Sequence, residues 1–122
     1  MGYTAFGKIV RKLMIDNDET LCDVASFTSG TTAFVSAVLT GKKNVPDGWV
    51  EAISKHYHLS DEEKAALFDA YCEQKNTVRI EIGQMSLGGK KLAIVLQRKL
   101  PGLTDEEMER IRSILEDTDD GV

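Results

Sequence analysis

Cysteine, proline and tryptophan are scarce in this chain of 122 residues, which contains two cysteines, two prolines and one tryptophan. The two cysteines, Cys22 and Cys72, lie inside helical patterns and not in the spaced framework of a disulfide-rich scaffold. They predict reduced, buried thiols in a cytoplasmic protein. No apolar run approaches the length of a membrane span, and the basic N-terminus lacks the apolar stretch of a secretory signal. We therefore expect no contact with a membrane.

Patterns typical of catalysis or metal binding are also lacking. His56 and His58 stand near the end of a predicted helix, without a carboxylate or thiol nearby at the spacing of metal ligands. Residues 2–8 (GYTAFGK) match Gly-x-x-x-x-Gly-Lys, but Ile9 stands where a phosphate-binding loop needs Ser or Thr, so the full motif is absent. Cys22 and the two histidines fall in different elements, so no pair of nucleophile and base is indicated. We predict a protein that is not an enzyme and uses neither a metal nor a cofactor.

Basic side chains are fewer than acidic ones, and the difference arises in one part of the chain. The formal net charge is −5, with 15 Lys and Arg against 20 Asp and Glu. Residues 1–58 carry six basic and six acidic side chains, whereas residues 59–122 carry nine and fourteen. The acidic surplus therefore lies entirely in the second half. The neutral first half permits a modest electrostatic attraction to nucleic acid.

Apolar residues at helical spacing predict three helices in the first 40 residues. The first spans about 4–16, and Thr20 with Asp23 forms a capping box that starts the second. Gly30 is expected to make the turn after the second helix, because glycine tolerates positive φ. The third helix spans about 31–39. Two short helices joined by a tight turn are typical of a helix-turn-helix.

Two further helices complete this part of the chain. Gly41 ends the third helix and Pro46 prevents its continuation. A fourth helix is predicted over about 47–57, and a capping box of Ser60 with Glu63 starts a fifth. The pattern therefore predicts a module of five helices within residues 1–75.

The period of the apolar residues changes after residue 76. Residues 77–82 (TVRIEI) alternate between apolar and polar side chains, which predicts a β-strand. A single strand leaves its backbone groups unpaired, so it needs a second strand. Residues 90–97 could supply that strand through a Gly88-Gly89 turn, but they also fit a helical stripe. We favour the helix, in which case the strand would pair with its copy in a second subunit.

The last predicted helix begins at a capping box of Thr104 and Glu107. Its apolar residues share one face and are expected to be buried; they are Met108, Ile111, Ile114 and Leu115. The predicted fold is therefore mainly α: a five-helix module at 1–75, followed at 76–122 by a strand and two helices that dimerise it.

The segment from Phe6 to Trp49 resembles the phage-repressor-like XRE family of helix-turn-helix proteins. The resemblance is carried by FGKIVRKL at 6–13, ETL at 19–21, DVA at 23–25, AFVSAV at 33–38 and GKKNVP at 41–46. It covers about a third of the chain, and the order and spacing of the pieces are its most specific feature. It implies a lambda-repressor-like fold for residues 1–75. The remainder looks like members of the family that append a strand and two helices.

The resemblance also implies a DNA-binding role for particular residues. Thr31 would bind a phosphate at the N-terminus of the recognition helix. The other implied contacts are to base edges (Thr32, Ala33 and Ala37), beside them (Phe34 and Ser36) and to the sugar-phosphate backbone (Thr40, Lys42 and Lys43). For Phe34 the altered turn leaves a second interpretation equally open, in which its ring packs in the core. The expected protein is a homodimeric, sequence-specific transcriptional repressor of phage or mobile-element type. Its expected partner is a palindromic operator in double-stranded DNA.

A second interpretation follows from the departures from the family pattern. Leu21 stands where the family usually has Gln, residues 28–31 replace its Leu-Gly-Val-Ser turn, and Leu39 replaces a common Glu. Residues 31–40 contain none of the Arg, Asn or Gln side chains that most often read bases. The chain could thus be an antitoxin-like interaction module that kept the fold without base readout. Its partner would be a toxin, a protease or an antirepressor.

Overall fold

The computed structural model describes residues 2–118, which form helices and connecting segments. Seven α-helices are present in this range, and no residue within it forms a β-strand. Their bounds are α1 Ala5–Asp16, α2 Leu21–Thr28, α3 Thr32–Leu39, α4 Trp49–His56, α5 Asp61–Gln74, α6 Leu87–Lys99 and α7 Asp105–Asp117. The chain divides into two compact units, Met1–Val78 and Arg79–Val122. The mainly α fold is confirmed; residues 119–122 of the predicted extension lie outside the described range.

The first unit contains five helices around one apolar core, as the helical spacing predicted. The fully buried side chains of this core come from all five helices, and the largest are Phe6, Met14, Leu39, Ile53 and Leu67. The hydroxyls of Thr4, Thr31 and Ser60 accept hydrogen bonds from the first turns of α1, α3 and α5. These caps satisfy backbone N–H groups that have no partner inside the helix, so they define where each helix begins.

The start of α1 lies directly on the end of α3. Thr4 donates its backbone N–H to the carbonyl oxygen of Leu39 at 3.1 Å. Gly7 permits this approach, because a Cβ there would overlap the carbonyl group of Leu39. Gly41 then leaves α3 with φ +87°, a conformation that favours glycine. The position of the end of α3 is therefore fixed by its contact with α1.

The turn between α2 and α3 differs from the predicted one. The left-handed residue is Ser29, with φ 60°, and not Gly30. The backbone N–H groups of Ser29 and Gly30 both donate to the carbonyl oxygen of Ala25 and close the last turn of α2. Because α2 extends to Thr28, the left-handed position that ends a helix falls on the next residue, Ser29. The prediction of Gly30 at this position was wrong.

The predicted strand at 77–82 is also not formed. These residues have no regular secondary structure, and the side chains of Val78 and Ile80 are exposed. The segment that could have paired with them is α6, which confirms the preference for a helix over 90–97. Among residues 2–118 no second strand is present to complete the ladder of backbone hydrogen bonds.

Burial in two places contradicts the sequence-based expectation. The apolar face of α7 is exposed, and neither α6 nor α7 contains a buried residue. Cys22 and Cys72 are exposed free cysteines, not buried ones. The inward positions of their helices are held by Val24 and Leu67, among others, so both thiols fall outside the core. The rotation of α2 and of α5 about their axes thus places each cysteine outside the core, whereas the apolar face of α7 is exposed along its whole length.

Candidate nucleic-acid interface

Helix α3 has one buried and one accessible face. Val35, Val38 and Leu39 are buried in the core. On the opposite face Thr32 and Ala33 are exposed, and Ser36 and Ala37, one turn later, are half-buried. Residues three and four apart lie on the same side of a helix, so these four form one continuous surface of methyl and hydroxyl groups. We call these four residues the α3 outer face.

Thr31 is the N-cap of α3. Its hydroxyl oxygen accepts a hydrogen bond from the backbone N–H of Phe34 at 3.1 Å. The hydroxyl proton is not used in this bond, so it can be donated to another group. The first N–H groups of a helix also lack partners inside the helix, and they carry partial positive charge. This end of α3 has donors that suit a phosphate oxygen.

Phe34 does not belong to the α3 outer face. Its ring contacts Trp49 edge to face, with ring centroids 6.1 Å apart and an interplanar angle of 85°. The residue is half-buried and packs against the core. Phe34 therefore holds α3 against α4. The structure separates it from the four outward residues with which it was grouped in the sequence.

The loop after α3 presents two lysines. The backbone N–H groups of Lys42 and Lys43 both donate to the carbonyl oxygen of Ala37, at 2.8 and 3.1 Å. Both residues are exposed, and within residues 2–118 neither lysine forms an ion pair. Thr40 donates its hydroxyl to the carbonyl oxygen of Ser36 at 2.9 Å. Thr40 therefore caps the end of α3, and the lysines remain available to bind an anion.

The sequence around this surface contains no acidic residue. Between Asp23 and Asp47 the only charged side chains are Lys42 and Lys43. The segment with the turn, the α3 outer face and the following loop thus has a formal charge of +2 in a chain of net charge −5. The sequence already shows this gap, but a charge count over residues 1–58 averages it with the acidic residues on either side.

A polar and aromatic cluster joins the start of α2 to the end of α4. Glu19 accepts a hydrogen bond from the hydroxyl of Tyr57 at 2.8 Å, and its carboxylate lies 3.0 Å from Nε2 of His56. The His56 ring stacks on Phe27, with centroids 4.0 Å apart. Burial and the hydrogen bond to Glu19 raise the pKa of Tyr57. This cluster links Glu19 and the end of α2 to the end of α4, and sequence reasoning missed it because its members are distant in the chain.

The predicted site residues are thus brought together in part. Thr31, the α3 outer face, Thr40 and the two lysines lie on one helix and the loop that follows it, while the Phe34 ring is committed to Trp49. Among residues 2–118 no cluster of three or more His, Cys, Asp or Glu could hold a metal ion. No helix in that range is both long and apolar enough to cross a membrane.

Comparison with known proteins gives no assignment. No family model matches the chain, and no curated protein or solved structure matches it either. The function therefore has to be inferred from the geometry and charge of the surface itself.

Proposed function

We propose that the protein is a homodimeric DNA-binding repressor that places the α3 outer face in the major groove. The observation that carries the proposal is the combination of a small, uncharged helix face with anion-binding groups at both ends. Thr31 and the helix N-terminus lie at one end, and Lys42 and Lys43 lie at the other. Contacts to phosphate at each end would hold the helix in the groove while the face between them meets the bases.

The chemistry of the α3 outer face favours thymine-containing sites. The methyl groups of Ala33, Ala37 and Thr32 suit the C5-methyl group of thymine, and the hydroxyls of Thr32 and Ser36 can pair with either donors or acceptors. Each such contact is weaker than a bidentate pair, which discriminates by about 1–3 kcal/mol. One subunit would therefore bind with low specificity. In a dimer that covers two half-sites about 34 Å apart, the discrimination factors of the two subunits multiply, so the dimer is more specific than either subunit.

The test is selection from a randomised duplex-DNA pool at near-physiological salt, followed by sequencing. We expect enrichment of an inverted repeat with thymines in each half-site. If the folded protein enriches no sequence, the proposal is wrong. The enriched duplex then serves as the probe for the variants described next.

Two kinds of variant separate phosphate contacts from base contacts. Lys42→Ala and Lys43→Ala should weaken binding to every sequence, and each should reduce the slope of log K against log salt by about 0.9 per subunit. Lys55→Ala, an exposed lysine on α4, is the matched control and should leave the slope unchanged. Thr32→Val keeps the shape of the side chain but removes the hydroxyl. It should change the preferred base while the salt slope stays the same.

A second candidate function is protein binding through the same fold. It is favoured by the absence of Arg, Asn and Gln in residues 31–40 and by the acidic balance of residues 1–78, which carry eight basic and eleven acidic side chains. A helix face of small residues also allows close packing of another helix. In that case the DNA pool would show no enrichment. The protein would instead bind a toxin, protease or antirepressor with little dependence on salt.

A further inference from the structure

The second unit leaves a large apolar surface uncovered. The exposed apolar side chains of α6, α7 and the short 3-10 turn between them are Leu87, Leu92, Ile94, Val95, Leu100, Met108, Ile111, Ile114 and Leu115. Leu87 is 67% exposed and Ile114 is 62% exposed. This many exposed large apolar side chains on two consecutive helices favour a site of association.

We propose that this surface binds a second copy of the same chain, with α6 of one copy packed against α7 of the other. The inference rests on the proposed function in that it identifies the interface of the proposed homodimer, although the association itself requires no DNA. The choice of partner follows from the charges that border the apolar surface.

The two helices have opposite charge. Helix α6 carries Lys90, Lys91, Arg98 and Lys99 and no acidic residue. Helix α7 carries six carboxylates and two arginines, a net charge of −4. An α6–α6 contact would bring eight cations together across a symmetric dimer, and an α7–α7 contact would bring carboxylates together. Pairing α6 with α7 is the arrangement in which the charges attract.

The distribution of charge along each helix fits this pairing in either direction. The cations of α6 form one pair near its start and one near its end. The carboxylates of α7 lie in its first turns and at its last two residues. Among residues 2–118, none of the four α6 cations forms an ion pair within the chain. They are free to meet the carboxylates of a partner.

Two-fold symmetry completes the arrangement. If α6 of the first copy contacts α7 of the second, symmetry creates the same contact a second time. The result is a bundle of four helices in which each apolar stripe faces its neighbours. No exposed apolar helix would remain to recruit a third copy.

The test is the dimer dissociation constant of the full-length protein, measured by analytical ultracentrifugation at low and physiological salt. The variant Lys91→Glu/Arg98→Glu should raise this constant by about thirtyfold at low salt, since the dimer then carries four reversed charges at exposed ion pairs. The control Lys8→Glu/Lys55→Glu makes the same change of charge at exposed positions of α1 and α4. It should leave the constant within about twofold of the parent value.

A rescue experiment identifies the two helices as partners. Glu106→Lys/Asp117→Lys on α7 should weaken the dimer alone, and it should restore much of the affinity when combined with the α6 reversal. These carboxylates are chosen because the ion pairs of Arg112 use Glu109 and Glu116 instead. A third variant, Leu92→Asn/Ile111→Asn, removes apolar contact without changing charge and should make the protein monomeric at about 50 µM.

The outcomes are distinguishable from those of the DNA experiment. A monomeric parent protein at about 50 µM, or a dimer that all of these variants leave unchanged, would overturn this inference. Recovery by mixing the two charge variants would support it, because each can then pair its helices with an oppositely charged partner. A dimer with these properties that enriches no DNA sequence would refute the proposed function and leave the interface intact.

Discussion

Replacing Gly7 by Ala tests the contact between α1 and α3, because two physical effects predict opposite results. Helix propensity alone predicts stabilisation by about 1 kcal/mol, since Gly7 lies in the first turn of an ordinary helix. The tertiary structure predicts the reverse. A Cβ at this position would overlap the carbonyl oxygen of Leu39 and lie 2.8 Å from its carbonyl carbon.

The magnitude follows from what α1 must give up in order to move. Overpacking of this kind costs about 1–3 kcal/mol. A shift of α1 would also stretch the 3.1 Å hydrogen bond from the Thr4 N–H to the Leu39 carbonyl, which contributes about 1 kcal/mol. Subtracting the gain in helix propensity leaves a net loss of about 1–3 kcal/mol. The sign is the essential result.

The assay is urea denaturation followed by the fluorescence of Trp49, which is the only tryptophan and is buried in the first unit. Gly88→Ala is the control, because a Cβ there meets only the Ser86 hydroxyl oxygen, at 3.8 Å, in the second unit. It should leave the Trp49 transition unchanged. If Gly7→Ala is as stable as the parent protein or more so, α1 does not approach α3 as described.

Three further changes probe the turn, the polar cluster and the cap. Ser29→Gly should raise the free energy of unfolding by about 1 kcal/mol, because Ser29 has a left-handed conformation; a decrease in stability would contradict this turn. Burial and the hydrogen bond to Glu19 raise the pKa of Tyr57 above its ordinary value of 10.0. The contribution of Tyr57 to the free energy of unfolding should therefore be fully present below pH 10 and be lost as the pH rises further. Tyr57→Phe should cost about 1 kcal/mol at neutral pH and flatten that decline, and an unchanged alkaline limb would refute the assignment. Thr31→Ala should cost about 1 kcal/mol through loss of the cap to the Phe34 N–H, whereas Thr31→Ser should cost much less; equal unfolding midpoints for the two would show that the cap is unimportant.

Local signals in the sequence were sufficient to locate the helices. The capping boxes at Thr20, Ser60 and Thr104 form as predicted, because a hydroxyl and a carboxylate three residues apart need only one helical turn to meet. Gly41 ends α3 for a similarly local reason. Alternation of apolar residues at 77–82 failed as a signal, since a strand requires a partner that local sequence does not provide.

The candidate site was predictable only as a segment. The sequence placed residues 31–43 on a helix and a basic loop, and spacing alone separates Thr32 and Ala37 from the buried Val35. It could not show that the Phe34 ring turns to Trp49, because that contact depends on the position of α4.

The sequence by itself determined the helical content, the starts of most helices and the charge contrast between α6 and α7, because each depends on residues that are close in the chain. Only the tertiary structure decided that Gly7 is a contact point, that Glu19 joins Tyr57, and that the apolar faces of α6 and α7 stay uncovered. These features depend on how helices pack against one another. Periodicity identifies an apolar face, but the partner that covers it is set by residues elsewhere in the chain or in a second copy.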